Sequence, residues 1–137
     1  MAETLRCDIV TPTQQIFSDE VTFVSIPATE GEMGVMDMHA PTITTLGNGE
    51  IRVRKGEGEG QLLRFAASGG YAEIEGSKVI VMANRALSID DIDQDQLDGF
   101  IQEFTQRLQE YPEGDSRRVY VEEELAWNKL IKHLVEE

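Results

Sequence analysis

Residues 78–108 read KVIVMANRALSIDDIDQDQLDGFIQEFTQRL, and the hydrophobic period changes inside them. Lys78-Val79-Ile80-Val81-Met82 is a short β-branched run behind the turn signal Glu75-Gly76-Ser77, the pattern of a strand. Further on, Leu97, Phe100, Ile101, Phe104 and Leu108 recur at steps of three and four, which lines them along one face of a helix. Ser88 followed by Asp91 fits a capping box. Asp90, Asp91 and Asp93 crowd the first turn, where the helix dipole favours anions. The chain is therefore expected to divide into a β-type part, residues 1–87, and a helical part, residues 88–137.

Upstream of the change the pattern is β throughout. Leu5, Cys7 and Ile9 alternate with polar neighbours, and Val21-Thr22-Phe23-Val24-Ser25-Ile26 and Glu50-Ile51-Arg52-Val53-Arg54 do the same. Leu62–Ala67 and Tyr71–Ile74 add two more runs. Gly47-Asn48-Gly49, Gly56-Glu57-Gly58-Glu59-Gly60 and Ser68-Gly69-Gly70 are read as turns between strands. Short strands at spacings of roughly 8–12 residues predict an antiparallel sandwich or barrel.

Downstream, Tyr111-Pro112-Glu113-Gly114 interrupts the helical period, and a second helix is expected to start at Asp115 or Ser116, either of which can cap it. Val119, Ala126, Trp127, Leu130 and Leu134 supply its apolar stripe. Two such helices joined by a short loop form an antiparallel hairpin, which cannot hide both stripes by itself.

Composition narrows the function. The 137 residues are 40% hydrophobic and 28% charged, a globular balance. The longest apolar run, Val79–Ala83, is far short of the roughly 20 residues of a membrane span. With 26 acids against 12 bases the net charge is -14, which repels nucleic-acid backbones and anionic lipid and favours protein or cation partners. The single cysteine, Cys7, excludes an internal disulfide and a cysteine-based zinc cluster. Met1-Ala2-Glu3-Thr4 opens without an apolar segment, so an intracellular, bacterial location is expected.

No catalytic constellation assembles. His39 and His133 lie in parts of different character, and Cys7 sits in an expected strand. Asp91-Ile92-Asp93-Gln94-Asp95 begins like a calcium loop, but Gln96 and Gln102 stand where that loop needs Gly and Glu. Gly69-Gly70 and Gly31…Gly34 are read as tight turns rather than phosphate cradles. Glu30–Pro41 stands apart: it combines Met33, Met36, Met38, His39 and Pro41 with poor strand periodicity, and exposed methionines make an adaptable contact surface.

These residues resemble the epsilon subunit of the bacterial F-type ATP synthase. Glu30-Gly31-Glu32-Met33-Gly34 followed by His39-Ala40-Pro41 is similar to that family's E-G-x-[LMI]-G…H-A-P pattern. The resemblance continues through Val10-Thr11-Pro12…Ile16-Phe17-Ser18, Gly49–Val53, Ser68–Ile74 and Val79–Ala83. It implies an N-terminal β-sandwich of about ten strands and a C-terminal antiparallel two-helix hairpin. It further implies a non-catalytic central-stalk rotor subunit that couples c-ring rotation to ATP synthesis, with a hairpin that restrains ATP hydrolysis. The implied partners are the gamma subunit, the c-subunit ring and the alpha/beta catalytic head, at the cytoplasmic face of the cell membrane without direct insertion. Glu30, Gly31 and Glu32 would face the c-ring, His39, Pro41 and Thr44 would lie at or near gamma, and Met38 would belong to the gamma/c-ring interface without being assigned to either partner. No cofactor or metal is implied. Some members hold ATP through an [IL]-D-x-x-R-A motif. Here Asp93, Asp115 and Arg118 survive from it, while Gln96 replaces an Arg, so ATP is expected only as a weak regulatory ligand. The alternative from the residues alone is a free-standing acidic β-sandwich binding module with a helical tail, and a second is a cation-dependent enzyme using Asp90–Asp98.

Overall fold

A computed structural model describes residues 4–56 and 60–136; the opening Met1-Ala2-Glu3 and the expected hairpin tip Glu57-Gly58-Glu59 lie outside the described residues. The chain forms two compact units that meet between Asp90 and Asp91.

The first unit contains eight strands: β1 (Leu5–Val10), β2 (Gln15–Val21), β3 (Phe23–Ala28), β4 (Gly31–Val35), β5 (His39–Thr45), β6 (Asn48–Lys55), β7 (Gln61–Gly76) and β8 (Lys78–Ser88). They follow the order β2-β1-β8-β7-β6-β3-β4, with β5 also on β7. The sandwich arises because β7 changes partner partway along. Gln61–Ser68 pairs with β6, and Tyr71–Gly76 pairs with β5. β8 follows β7 from Glu75↔Lys78 to Phe65↔Ser88, and its first residues also lie beside β1. The long strands thus belong to both layers, and the ten strand segments expected are eight continuous ones with two used twice.

Ser68-Gly69-Gly70 is therefore not a turn between strands but the bend inside β7. Gly69 and Gly70 have φ of 65° and 102°, a region L side chains rarely occupy. A Cβ on Gly70 would meet the Met82 carbonyl oxygen at 2.0 Å. Here Gly70 O accepts from Leu46 N at 2.9 Å, and Gly69 N donates to Gly47 O at 3.2 Å, so backbone of both layers meets at the bend.

Three further expectations change. The run Val21–Ile26 is split, because Thr22 turns the chain: its N and Oγ1 both donate to Arg54 O, at 2.8 and 3.1 Å. Pairing is antiparallel except for β1 and β8, which run parallel; they are distant in sequence, so no hairpin dictates their direction. Glu30–Gly34, read as a turn, is a turn only at Thr29–Glu30, after which β4 pairs with β3 from Ala28↔Gly31 to Val24↔Val35.

The core between the layers is aliphatic. Leu5, Cys7 and Ile9 of β1 meet Val24, Ile26, Ile51, Val53, Phe65, Ile74, Val79 and Val81. Each fully buried Ile or Val contributes about 1.5–3 kcal/mol by leaving water. Phe17 and Phe65 stack at 5.5 Å between ring centroids, tilted by 56°.

The second unit follows a short 3-10 turn at Ile89–Asp91 and holds α1 (Gln94–Leu108) and α2 (Ser116–Glu136). Ser88 pairs with Phe65 in the sheet and does not cap α1. Asp93 does, accepting from Asp95 N at 3.0 Å and Gln96 N at 3.2 Å. The stripe of α2 is rotated from the expected one. Val121, Leu125, Trp127, Asn128, Ile131 and Leu134 are buried, whereas Val119 and Ala126 are exposed. The acidic run Glu122-Glu123-Glu124 leaves the sequence pattern without an apolar anchor there, so Val121 does not stand out in it.

Candidate functional site

The segment Glu30–Thr44 forms β4, which pairs with β3, a turn, and most of β5, which pairs with β7. Gly31, with φ of 132°, opens β4. Gly34 lets the Phe23 ring lie against the strand, since a Cβ there would come within 3.0 Å of it. Between these glycines, Met33 packs on the core and Glu32 points outward.

Glu32 is not a free surface carboxylate. Its Oε1 accepts from the Ser25 hydroxyl at 2.6 Å and from the Arg52 guanidinium. These bonds, Ser25's first, hold its pKa below the ordinary glutamate value by favouring the ionised form. Arg52 also approaches Glu50, at 3.4 Å, and Glu50 in turn pairs with Arg64. A ladder of alternating charge, Glu32–Arg52–Glu50–Arg64, thus crosses β4, β6 and β7, with the buried Ser25 of β3 beneath it.

The turn after β4 is under strain. Met38 is the only described non-glycine residue with positive φ, at 67°, a conformation costing about 1–2 kcal/mol for an L side chain. Asp37 Oδ1 is buried without a hydrogen-bond partner among the described residues. Met36, Met38 and Ile43 are all exposed, Met38 at 79%. Pro41 falls where the β5–β7 register shifts between His39 and Thr42, a place for a residue that cannot donate to a ladder. His39 Nδ1 lies 2.7 Å from Ala40 O, and Thr42 Oγ1 donates to Ala40 O at 3.0 Å.

Chain reversal sorts these residues differently from their order in sequence. Thr29 N donates to Thr45 O at 3.0 Å and the two hydroxyls lie 2.8 Å apart, so the neighbours Glu30 and Thr44 share one end of the segment. Met38 and His39 lie at the other end of β4, about 17 Å away at strand rise. Thr44, which the resemblance groups with His39 and Pro41, thus lies at the opposite end of the segment from His39.

In the helical unit the three residues carried over from the nucleotide motif are not brought together. Asp93 caps the start of α1, and Arg118 works at its far end, some 22 Å along a fifteen-residue helix. There Arg118 donates to Leu108 O at 3.0 Å and Tyr111 O at 2.8 Å and pairs with Glu122 at 2.9 Å. Asp115 accepts from Arg117 N at 2.9 Å and binds the Arg117 guanidinium, contacts that hold its carboxyl below the ordinary value. Arg117 also lies over the Tyr111 ring at 4.7 Å. Arg107, Tyr111, Ser116, Arg117, Tyr120 and Val121 line an open cavity of about 320 Å³ at this end. Arg107, Arg117 and Tyr111 were not singled out from the sequence, where only alternating aromatic and arginine residues could have marked them.

Among the described residues no three His, Cys, Asp or Glu side chains are grouped to hold a metal, and no helix is long and apolar enough to cross a membrane. Cys7 is buried, and that burial, with the Asp8 charge second, pushes its thiol up to about 12.

Residues 4–89 match the family model described as ATP synthase, Delta/Epsilon chain, beta-sandwich domain. The chain is 34% identical over 127 residues to the ATP synthase epsilon chain of Hyphomonas neptunium, covering 93% of each. It is 36% identical over 126 residues to that of Rhizobium meliloti, covering 92% and 91%. With that of Desulforamulus reducens it shares 41% over 108 residues, 79% of this chain and 80% of the relative. Its fold is similar to a chain in the Euglena gracilis mitochondrial ATP synthase, with a TM-score of 0.75 at 23% identity over 96% of this chain and 81% of that one.

Proposed function

The chain belongs to the ATP synthase epsilon chain family, and from that membership we propose that it is a non-catalytic rotor subunit, joining gamma and the c-ring through its sandwich and restraining ATP hydrolysis through its hairpin. The observation that carries this reading is the segment Glu30–Thr44. It presents exposed Met36 and Met38 at a strained turn, with Ile43 exposed further along β5, features that a binding partner explains and a solvent-facing hairpin does not. On this reading the end bearing Glu30, Gly31, Glu32 and Thr44 meets the c-ring, and the end bearing Met38, His39 and Pro41 meets gamma.

Torque passes through such a subunit by contact, so rigidity is its mechanical requirement. The continuous β7 and β8, shared by both layers, favour a sandwich that turns as one body. The hairpin needs the opposite property: a second packing on gamma or the catalytic head, within a few kcal/mol of the first. ATP plays at most a weak regulatory part in that choice. Arg118 is already engaged with backbone carbonyls, and Asp115 puts a negative charge beside Arg117. Through these partners the protein would sit peripherally on the cytoplasmic face of a bacterial membrane.

Copurification tests the assembly: the full chain should come down with gamma and the catalytic head at fixed stoichiometry, and recovery alone would favour a free-standing binding module. Removal of residues 88–137 should raise ATP hydrolysis by the reconstituted complex, and an unchanged rate would refute the inhibitory role. Calorimetric titration with ATP should give no saturable heat below about millimolar concentration.

A further inference from the structure

We propose that Arg52 is a positioning residue for Glu32: together with Ser25 it holds one carboxylate oxygen so that the other is offered to a cationic side chain on the protein partner. The inference rests on the reading that Glu32 faces a rotor partner and adds to it how that residue is prepared. Both bonds from Ser25 and Arg52 end on Oε1, and Oε2 has no partner among the described residues. The Glu32 side chain is 60% exposed, so a partner can reach it.

The surroundings decide what it recognises. β3 contributes the neutral Ser25, β6 contributes Arg52 and Glu50, and β7 contributes Arg64 through Glu50. The four charges of this ladder cancel on a chain of net charge -14. The ladder itself therefore carries no net charge, and what it offers is a single directed contact. An ionised oxygen with fixed direction selects a guanidinium or ammonium donor. Fixing a glutamate side chain in advance avoids an ordering cost of about 0.5–1.5 kcal/mol on docking, equivalent to roughly two- to tenfold in affinity.

The test is rebinding of full-length variants to ATP synthase stripped of this subunit, read as affinity over a pH series. Arg52→Met should weaken rebinding about two- to tenfold. It should also move the acid-side loss of binding to higher pH, because Glu32 without Arg52 titrates nearer the ordinary glutamate value. A merely structural role for Arg52 would not move that midpoint. Arg52→Lys should recover part of the affinity, and adding Arg52→Met to Glu32→Gln should cost nothing more. Weakening by Glu32→Gln with no effect of Arg52→Met, or tighter binding by Arg52→Met, would overturn the positioning role alone. No effect of Glu32→Gln would overturn the underlying reading of Glu32 and the inference with it. Should Arg52→Met fail to fold, Arg52→Lys decides: parental affinity with an unmoved midpoint and no coupling to Glu32→Gln refutes the proposal.

Discussion

Replacing Gly70 by alanine tests whether the bend in β7 builds the sandwich. At φ of 102° an L side chain costs about 1–2 kcal/mol before any contact is counted. The new Cβ would stand 2.0 Å from Met82 O and 2.9 Å from Ala83 Cα, so β8 must retreat by about 1 Å. That retreat weakens the ladder around Gly70↔Ala83, about two hydrogen bonds at about 1 kcal/mol each. The sum is about 3–4 kcal/mol, a large share of the 5–15 kcal/mol typical of a folded domain. Gly76→Ala is the matched control. Its φ is 56°, yet nothing lies within 4 Å of its Cβ position, so only the backbone cost of about 1–2 kcal/mol is at stake. Urea unfolding of the full chain, followed by far-ultraviolet circular dichroism and by hydrogen exchange at the Ala72 and Val81 amides, measures both. Equal losses for the two variants would refute the close-approach argument and leave only backbone conformation.

Met38→Gly should stabilise the isolated chain by about 0.5–1 kcal/mol, the left-handed cost relieved less the extra freedom of glycine when unfolded; a lower urea midpoint would contradict the strain at that turn. Arg118→Met keeps the aliphatic stem but frees Leu108 O and Tyr111 O, so the helical unit should lose about 2 kcal/mol in unfolding followed by Trp127 fluorescence. An unchanged transition would show that these bonds carry no weight. Cys7 should resist a maleimide in the native chain and react at the rate of opening. Burial pushes the folded thiol up to about 12 from an ordinary value of 9.0, so its contribution is whole below pH 9 and is lost as pH rises towards 12. Rapid labelling at neutral pH, or stability flat across that alkaline window for the parent but not Cys7→Ala, would contradict its burial.

The two-part plan was legible in the sequence because hydrophobic period is a local property. Leu5, Cys7 and Ile9 alternate as a strand must, and the stripe from Leu97 to Leu108 recurs as a helix must. The motif Glu30-Gly31-Glu32-Met33-Gly34 was legible too, although its shape was not. Gly34 is there for the Phe23 ring, and a ring arriving from a neighbouring strand leaves no mark in the motif itself. The cap on α1 moved from Ser88 to Asp93 for a similar reason, since Ser88 was already held by Phe65 in the sheet.

What the sequence determined by itself was which residues of the first strands are buried, roughly where strands give way to helices, and which family the chain resembles; the helices' buried faces it fixed only in part, since Phe100, Val119 and Ala126 are exposed. The tertiary structure alone decided that Gly69-Gly70 bends one strand across two layers instead of ending it, because the second partner, β5, is recruited from some thirty residues upstream. It alone set Glu30 beside Thr44, through Thr29 and Thr45, and gave Glu32 to Ser25 and Arg52. Local pattern records how a residue meets its chain neighbours. Pairing across strands is fixed by which surfaces must leave water together, and that is settled only when the whole sheet closes.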